Sequence, residues 1–150
     1  MNTEQPVDKN YFRFKKFLVR QDKSSMKVNT DGILLGAWSD VQHNNRVLDI
    51  GTGTGVMALI LAQKNPKLKI DAIDIDKESY VQASENFKNN QLGKNISAHF
   101  SSLQEFSKRK LLANTFDLIV SNPPFFSGGP ISHDEKKANV RHTVKLSHEE

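Results

Sequence analysis

From Arg46 onward, short apolar runs alternate with amphipathic stretches, and this alternation sets the first expectation of fold. Arg46 to Ile50 reads as a strand, Gly51 to Gly55 as a turn, and Val56 to Lys64 as a nearly all-apolar helix halted by Asn65-Pro66. Lys69 to Ile75 reads as the next strand. Asp76 can cap a helix running to about Asn90, with Tyr80, Ala83, Ser84 and Phe87 on one stripe and Gly93 ending it. Ile96 to Phe100 reads as a third strand, Leu103 to Leu112 as a helix, and Phe116 to Ser121 as a fourth strand that runs into a proline loop. Such alternation predicts an α/β fold, a mostly parallel sheet with right-handed crossovers and helices on both faces. Ligands in sheets of this kind sit beyond the carboxyl ends of the strands.

The first third of the chain is less regular. Residues 1–10 read as a flexible arm. In Tyr11 to Arg20, Phe12 and Phe14 share one face, whereas Phe17 and Val19 take the other parity. That slip predicts a bulge, or a turn between two short strands. Asp31 to Trp38 carries Ile33, Leu34, Ala37 and Trp38 at helical spacing, with Thr30 or Asp31 as the cap. At the other end, Ser147 to Glu150 resembles the opening turn of a helix. A sheet of so few strands would leave the fourth as an uncovered edge. The expectation is therefore that residues 11–150 form the N-terminal part of a single domain, truncated after the fourth sheet strand.

Composition narrows the classes. A chain of 150 residues implies one domain, with enough buried surface for a real core. The absence of cysteine excludes disulfides and thiolate metal sites, and it suits a reducing compartment. His43, His99, His133, His142 and His148 show no metal-ligand spacing and read as exposed. The polar N-terminus lacks a signal core, and the longest apolar run, Val56 to Ala62, is too short to span a bilayer. A cytoplasmic protein is expected. Net charge is +4, concentrated at Lys9, Arg13, Lys15, Lys16, Arg20, Lys23 and Lys27 against only Asp8 and Asp22, with a second run at Lys108-Arg109-Lys110. Charge alone reads most simply as a solvated face, but such clusters can also neutralise phosphates.

Candidate chemistry lies at the strand ends. Glycines at 51, 53 and 55 do not fit G-x-G-x-x-G, because Val56 occupies the place of the third glycine. The spacing matches the S-adenosylmethionine (AdoMet) loop of Rossmann-like class I methyltransferases. Gly51, Gly53 and Gly55 let the backbone approach a ligand without a Cβ in the way, and Thr52 completes this cofactor loop. The helix N-terminus beyond offers N–H groups to a carboxylate. Asp49 can accept from the methionyl ammonium. Asp74 can accept both ribose hydroxyls, leaving Asp76 as helix cap. Ser102 stands where this fold often places an acid for the adenine amine, and Leu103 can pack on the adenine face. The plain alternative is that both aspartates only cap and solvate.

Asn122-Pro123-Pro124-Phe125 is the sharper signal. An amine on an aromatic ring is a poor nucleophile, because its lone pair is delocalised. Two acceptors on its N–H bonds, the Asn122 amide oxygen and the Pro123 backbone carbonyl, pull the nitrogen toward tetrahedral geometry. Pro123 and Pro124 stiffen the loop, and Phe125 can stack on the ring. No metal and no strong base are required. A proline turn after a strand is the plain alternative.

Phe14 to Phe17, Met26 to Trp38, Leu48 to Gly55, Asp74 to Asp76, Phe116 to Phe126 and Arg141 to Thr143 together resemble bacterial tRNA1(Val) adenine-N6 methyltransferases. The resemblance implies AdoMet as cofactor, tRNA as partner and the adenine 3′ of the anticodon as target. It implies that Thr30 and Asp31 close over the methionine end of the cofactor, and that Lys137 and Arg141 meet RNA phosphates beside Lys15, Lys16 and Lys27. A monomer is expected for the full-length protein. The sequence departs from the family pattern at Asn29, where a glycine is usual, at Ser102, and at Phe125, where tyrosine is more frequent. Rival readings are a ribosomal guanine-N2 methyltransferase, a release-factor glutamine methyltransferase, a DNA adenine methyltransferase, which would normally carry a target-recognition domain not visible here, and a non-catalytic RNA-binding module. Met26 to Trp38 and the basic N-terminus argue against the protein substrate. Asn122 and the loop glycines argue against the pure binder.

Overall fold

The computed structural model describes residues 8–109 and 114–123. The phase slip near the N-terminus is a turn. β1 (Tyr11–Arg13) and β2 (Leu18–Arg20) form an antiparallel hairpin that pairs Phe12 with Val19. Stacked rings of Phe14 and Phe17, 4.5 Å apart, fill its turn.

Helix α1 (Thr30–Trp38) begins one residue earlier than its sequence suggests. Its cap is Asn29, not Thr30 or Asp31, and the Asn29 side chain accepts from the Gly32 N–H. The apolar stripe also differs. Leu34 and Trp38 are exposed, and the buried positions are Gly32 and Gly36. A Cβ on Gly36 would lie 3.2 Å from Ile60. α1 therefore approaches α2 closely at its smallest residues, while Ile33 and Leu35 are half-buried and pack against the core.

The alternating region folds as its pattern predicts. β3 (Arg46–Ile50), α2 (Val56–Lys64), β4 (Lys69–Asp74), α3 (Lys77–Lys88), β5 (Ile96–Phe100), α4 (Leu103–Ser107) and β6 (Leu118–Ser121) follow in order. The sheet order is β5-β4-β3-β6, and its pairs are all parallel. One face buries Val47, Ile70, Ala72, Ile96 and Val120 against α2 and α3. The other packs Leu48 and Ile73 against Phe106 of α4. Helices thus cover both faces. Among the described residues β6 pairs with β3 alone. No helix among them is long and apolar enough to cross a membrane.

Three local features differ from the sequence pattern. Helix α3 ends at Lys88, and Gly93 sits in a following 3-10 turn, Gln91–Asn95. Gly93 is required by proximity, since a Cβ there would come 2.0 Å from the Phe87 carbonyl oxygen. The α3 stripe is rotated: Gln82 and Asn86 are buried with Ala83 and Phe87, while Tyr80 and Ser84 are half-buried. Gln82 accepts from Lys23 N, and Asn86 bonds both backbone groups of Arg20 and the Thr54 carbonyl. A polar pair on α3 thereby anchors the chain after β2. Finally, His99 is half-buried rather than exposed. Its Nε2 lies 2.7 Å from Asp71, which also takes Arg46. Burial pushes the Asp71 carboxyl up, but the His99 and Arg46 hydrogen bonds outweigh it and hold the pKa below the usual range.

Candidate functional site

Strand order reverses at β3: β4 and β5 lie on one side, and β6 lies on the other. Such a switch point opens a crevice beyond the strand ends, and the candidate residues converge there. The turn after β3 is pinned to β4, because Gly51 N and Thr52 N both donate to the Ile73 carbonyl. Gly55 has φ +81°, and a Cβ on it would strike the Phe87 ring at 2.5 Å. Only glycine satisfies both conditions. Gly55 is also the cap position of α2 and offers no side-chain hydrogen bond. The first N–H groups of α2 therefore face the crevice without a capping side chain, ready for an anion.

Asp49 is fully buried. Its Oδ2 accepts from Thr52 Oγ1 at 2.8 Å, and its Oδ1 has no hydrogen-bond partner among the described residues. Burial, partly offset by the Thr52 bond and reinforced by Asp74, raises its pKa to about 7. A buried carboxylate with an orphaned oxygen is a site for a cation.

Asp74 is committed further than its sequence position indicates. Its Oδ2 accepts from Gly53 N and its Oδ1 from Asp76 N, each at 2.8 Å. Each oxygen keeps a second lone pair for a hydroxyl. Burial raises its pKa despite these bonds. Asp76 caps α3 as expected, accepting from Ser79 and from Ser25 Oγ. Burial acts upward on Asp76, and the Ser79 and Ser25 bonds overcome it. Ser25 belongs to the segment after β2, which is thus tied to the Asp74–Asp76 side of the crevice. Ser24 in the same segment meets Ser79 at 3.2 Å.

Ser102 caps α4 by accepting from Glu105 N, which leaves its O–H and a second lone pair to offer. Leu103 is half-buried in the smaller core. Sequence reasoning missed Ile75. It is 54% exposed between Asp74 and Asp76, an apolar plate just past the end of β4. An aliphatic residue flanked by two acids, one step beyond a strand, was the available signal. Thr30 and Asp31 are exposed on the first turn of α1.

On the other side of β3, Ser121 Oγ donates to the Ile50 carbonyl and fixes the end of β6. Ile50 pairs with Ser121, so Asn122 emerges beside the start of the glycine turn. Asn122 and Pro123 are half-buried, and Asn122 Nδ2 donates to Asn29 Oδ1 at 3.3 Å. Lys15 and Lys16 are exposed at the hairpin turn. Lys27 is bound to the Gln21 carbonyl. The helix expected over 103–112 ends at Ser107, with Lys108 as its C-cap. Pro124, Phe125, Lys137 and Arg141 lie outside the described residues.

Among curated proteins, the chain is 44% identical over 140 residues to a Dyadobacter fermentans protein named tRNA1(Val) (adenine(37)-N6)-methyltransferase, covering 93% of this chain and 57% of that one. A Trichodesmium erythraeum protein of the same name is 46% identical, with 92% and 58% covered. The chain therefore spans under three-fifths of the length of these relatives. Among solved structures, TrmK of M. capricolum, in complex with S-adenosyl-homocysteine, is similar with a TM-score of 0.53 at 22% identity, over 64% of this chain and 41% of that one. Cofactor-bound Rv0187 from MTB is similar with a TM-score of 0.53 at 20% identity, over 67% and 47%. At these identities the likeness is one of fold. Residues 24–146 match the methyltransferase small domain family, and the chain belongs to that family.

Proposed function

We propose that this protein carries the AdoMet site and the amine-positioning loop of a methyltransferase that modifies N6 of the adenine 3′ of the anticodon in tRNA. The observation that carries the reading is Asn122 emerging beside the Gly51–Gly55 turn, across β3 from Asp74. AdoMet, when bound, supplies a methyl group on a sulfonium. The donor set suits it: the orphaned Asp49 Oδ1 takes the ammonium, the α2 N-terminus takes the carboxylate, Asp74 takes ribose hydroxyls and Ile75 takes the adenine face. Leu103 packs beside the adenine, and the Ser102 O–H donates to a ring nitrogen. Thr30 and Asp31 cover the methionine end. Asn122 and Pro123 accept the two N–H bonds of the target amine, and Phe125 stacks on its ring. Holding the lone pair in line with the methyl accounts for most of the acceleration. The product ammonium is acidic enough to lose its proton to water.

Lys15, Lys16, Lys137 and Arg141 are assigned to phosphates; Lys27, engaged by a backbone carbonyl, contributes less. An anticodon-loop adenine is already single-stranded, so its extrusion costs little. The names of the relatives support tRNA over ribosomal RNA or release factor.

The test supplies labelled AdoMet to the full-length protein with unmodified tRNA, ribosomal RNA and release factor in separate reactions. N6-methyladenosine in tRNA is the expected product. Label in guanine or glutamine would retain the loop mechanism and replace the substrate.

A further inference from the structure

We propose that Asn29 is a positioning residue, which fixes the orientation of the Asn122 amide and so presents its carbonyl oxygen to the reacting amine. The inference rests on the function proposed above. The Gly32 backbone N–H can only donate, and it meets the Asn29 side chain at 2.8 Å. The atom of Asn29 facing it must therefore be Oδ1. That same oxygen faces the Asn122 amide at 3.3 Å, so Asn122 must turn its NH2 toward it. The reverse orientation would set two carbonyl oxygens against each other. One oxygen has two lone pairs, enough for both donors. With Nδ2 engaged, Asn122 Oδ1 occupies the other branch of the amide and remains available as an acceptor.

Gly32 closes the arrangement. A Cβ on it would lie 3.3 Å from Asn29 Oδ1 and 3.5 Å from Asn122 Nδ2. The three residues thus converge on one point, although Asn122 lies far along the sequence from the other two. The helix cap and the reaction loop share a single acceptor. A cap without reach would serve α1 equally well, because serine and asparagine are comparable at this position. The extra reach of asparagine serves Asn122.

Serine and aspartate variants separate capping from positioning. Asn29→Ser keeps a capping oxygen but is too short to reach Asn122. Asn29→Asp keeps both the cap and the acceptor. The expected result for Asn29→Ser is a Tm close to the parent, KM values for AdoMet and tRNA within about twofold, and kcat lowered about five- to tenfold, the effect of one lost hydrogen bond. Asn29→Asp is expected to restore kcat. Asn29→Ser in an Asn122→Ala background is expected to lose nothing more, since Asn29 acts through Asn122. Parental kcat in Asn29→Ser, or a kcat that follows Tm across all variants, would overturn the proposal. A second readout is independent of turnover. In 15N-labelled full-length protein, the Asn122 side-chain NH2 is expected to show one hydrogen-bonded proton, lost in Asn29→Ser and kept in Asn29→Asp. An unchanged Asn122 signal in Asn29→Ser would overturn the orientation argument. If the parent methylates no tRNA while this signal behaves as stated, the proposed substrate fails and the role of Asn29 as anchor stands.

Discussion

The Asp49 carboxyl is buried with one oxygen unpartnered, and its pKa is raised from 3.8 to about 7. A raised acid binds its proton more tightly in the folded protein than in the unfolded one. Its contribution to stability is therefore lost as pH rises from about 4 to about 7, at up to about 1.4 kcal/mol per pH unit. Asp74 shifts in the same direction. Asp71 and Asp76 are lowered, so their contribution is lost at the acid end, as pH falls below about 4. Without ligand, urea melts should show stability declining between pH 4 and 7. Asp49→Asn should flatten that decline, raise stability at pH 8, and weaken AdoMet binding at least tenfold by calorimetry. The parent's affinity should itself drop below pH 7, where an ammonium ligand must displace a proton. Asn122→Ala should divide differently, with AdoMet affinity nearly intact and turnover reduced at least tenfold, about 1.4 kcal/mol of barrier. Equal losses in both would assign Asn122 a structural role. The acids and Asn122 could be read in the sequence because they stand at strand ends. The hydrogen bonds between Asn29 and Asn122, and between Asp74 and Gly53, could not, because they join residues remote along the sequence.

Elements with a strong period were legible almost to the residue, as β3 and α2 illustrate. An all-apolar helix stopped by Asn65-Pro66 leaves little freedom of assignment. Helices with mixed faces were harder. Sequence favoured Tyr80 and Ser84 for the inner face of α3, but Gln82 and Asn86 occupy it to bind the backbone after β2. Burial there follows hydrogen-bond demand rather than hydropathy. In α1 the fully buried positions are glycines, which no hydrophobic stripe reveals, with Ile33 and Leu35 half-buried beside them. Glycine is also the test at the end of α3. Gly93→Ala should destabilise the fold by about 2 kcal/mol through backbone displacement at Phe87, a cost typical of overpacking. Chemical denaturation measures it. A change within about 0.5 kcal/mol, the size of an ordinary surface substitution, would mean the 3-10 turn yields freely.

At the scale of the molecule, alternation of elements predicted the parallel sheet, helices on both faces and the crevice at the strand ends. It did not predict that the segment between β2 and α1 would tie both sides of that crevice, through Ser25 to Asp76 and Asn29 to Asn122. Charge acts at this scale too. If the hairpin meets tRNA, Lys15→Glu with Lys16→Glu should weaken binding and reduce the slope of log K against log salt by about 0.7–0.9 per lost phosphate contact, with kcat little changed. Lys27→Ala should alter the slope less. Filter binding between about 50 and 200 mM salt, a range of about two salt doublings, decides it. The position of β3 has a consequence for synthesis. Val47 pairs with Ile70 on one side and with Leu118 on the other. As the polypeptide leaves the ribosome, Asp49, the glycine turn and Asp74 are complete long before β6 exists. Through that interval the apolar edge of β3 has no partner strand and stands open to other nascent chains. The last described strand to be made both delivers Asn122 and closes that edge, so under the proposed function a growing polypeptide stays incompetent for methyl transfer until its central strand is protected.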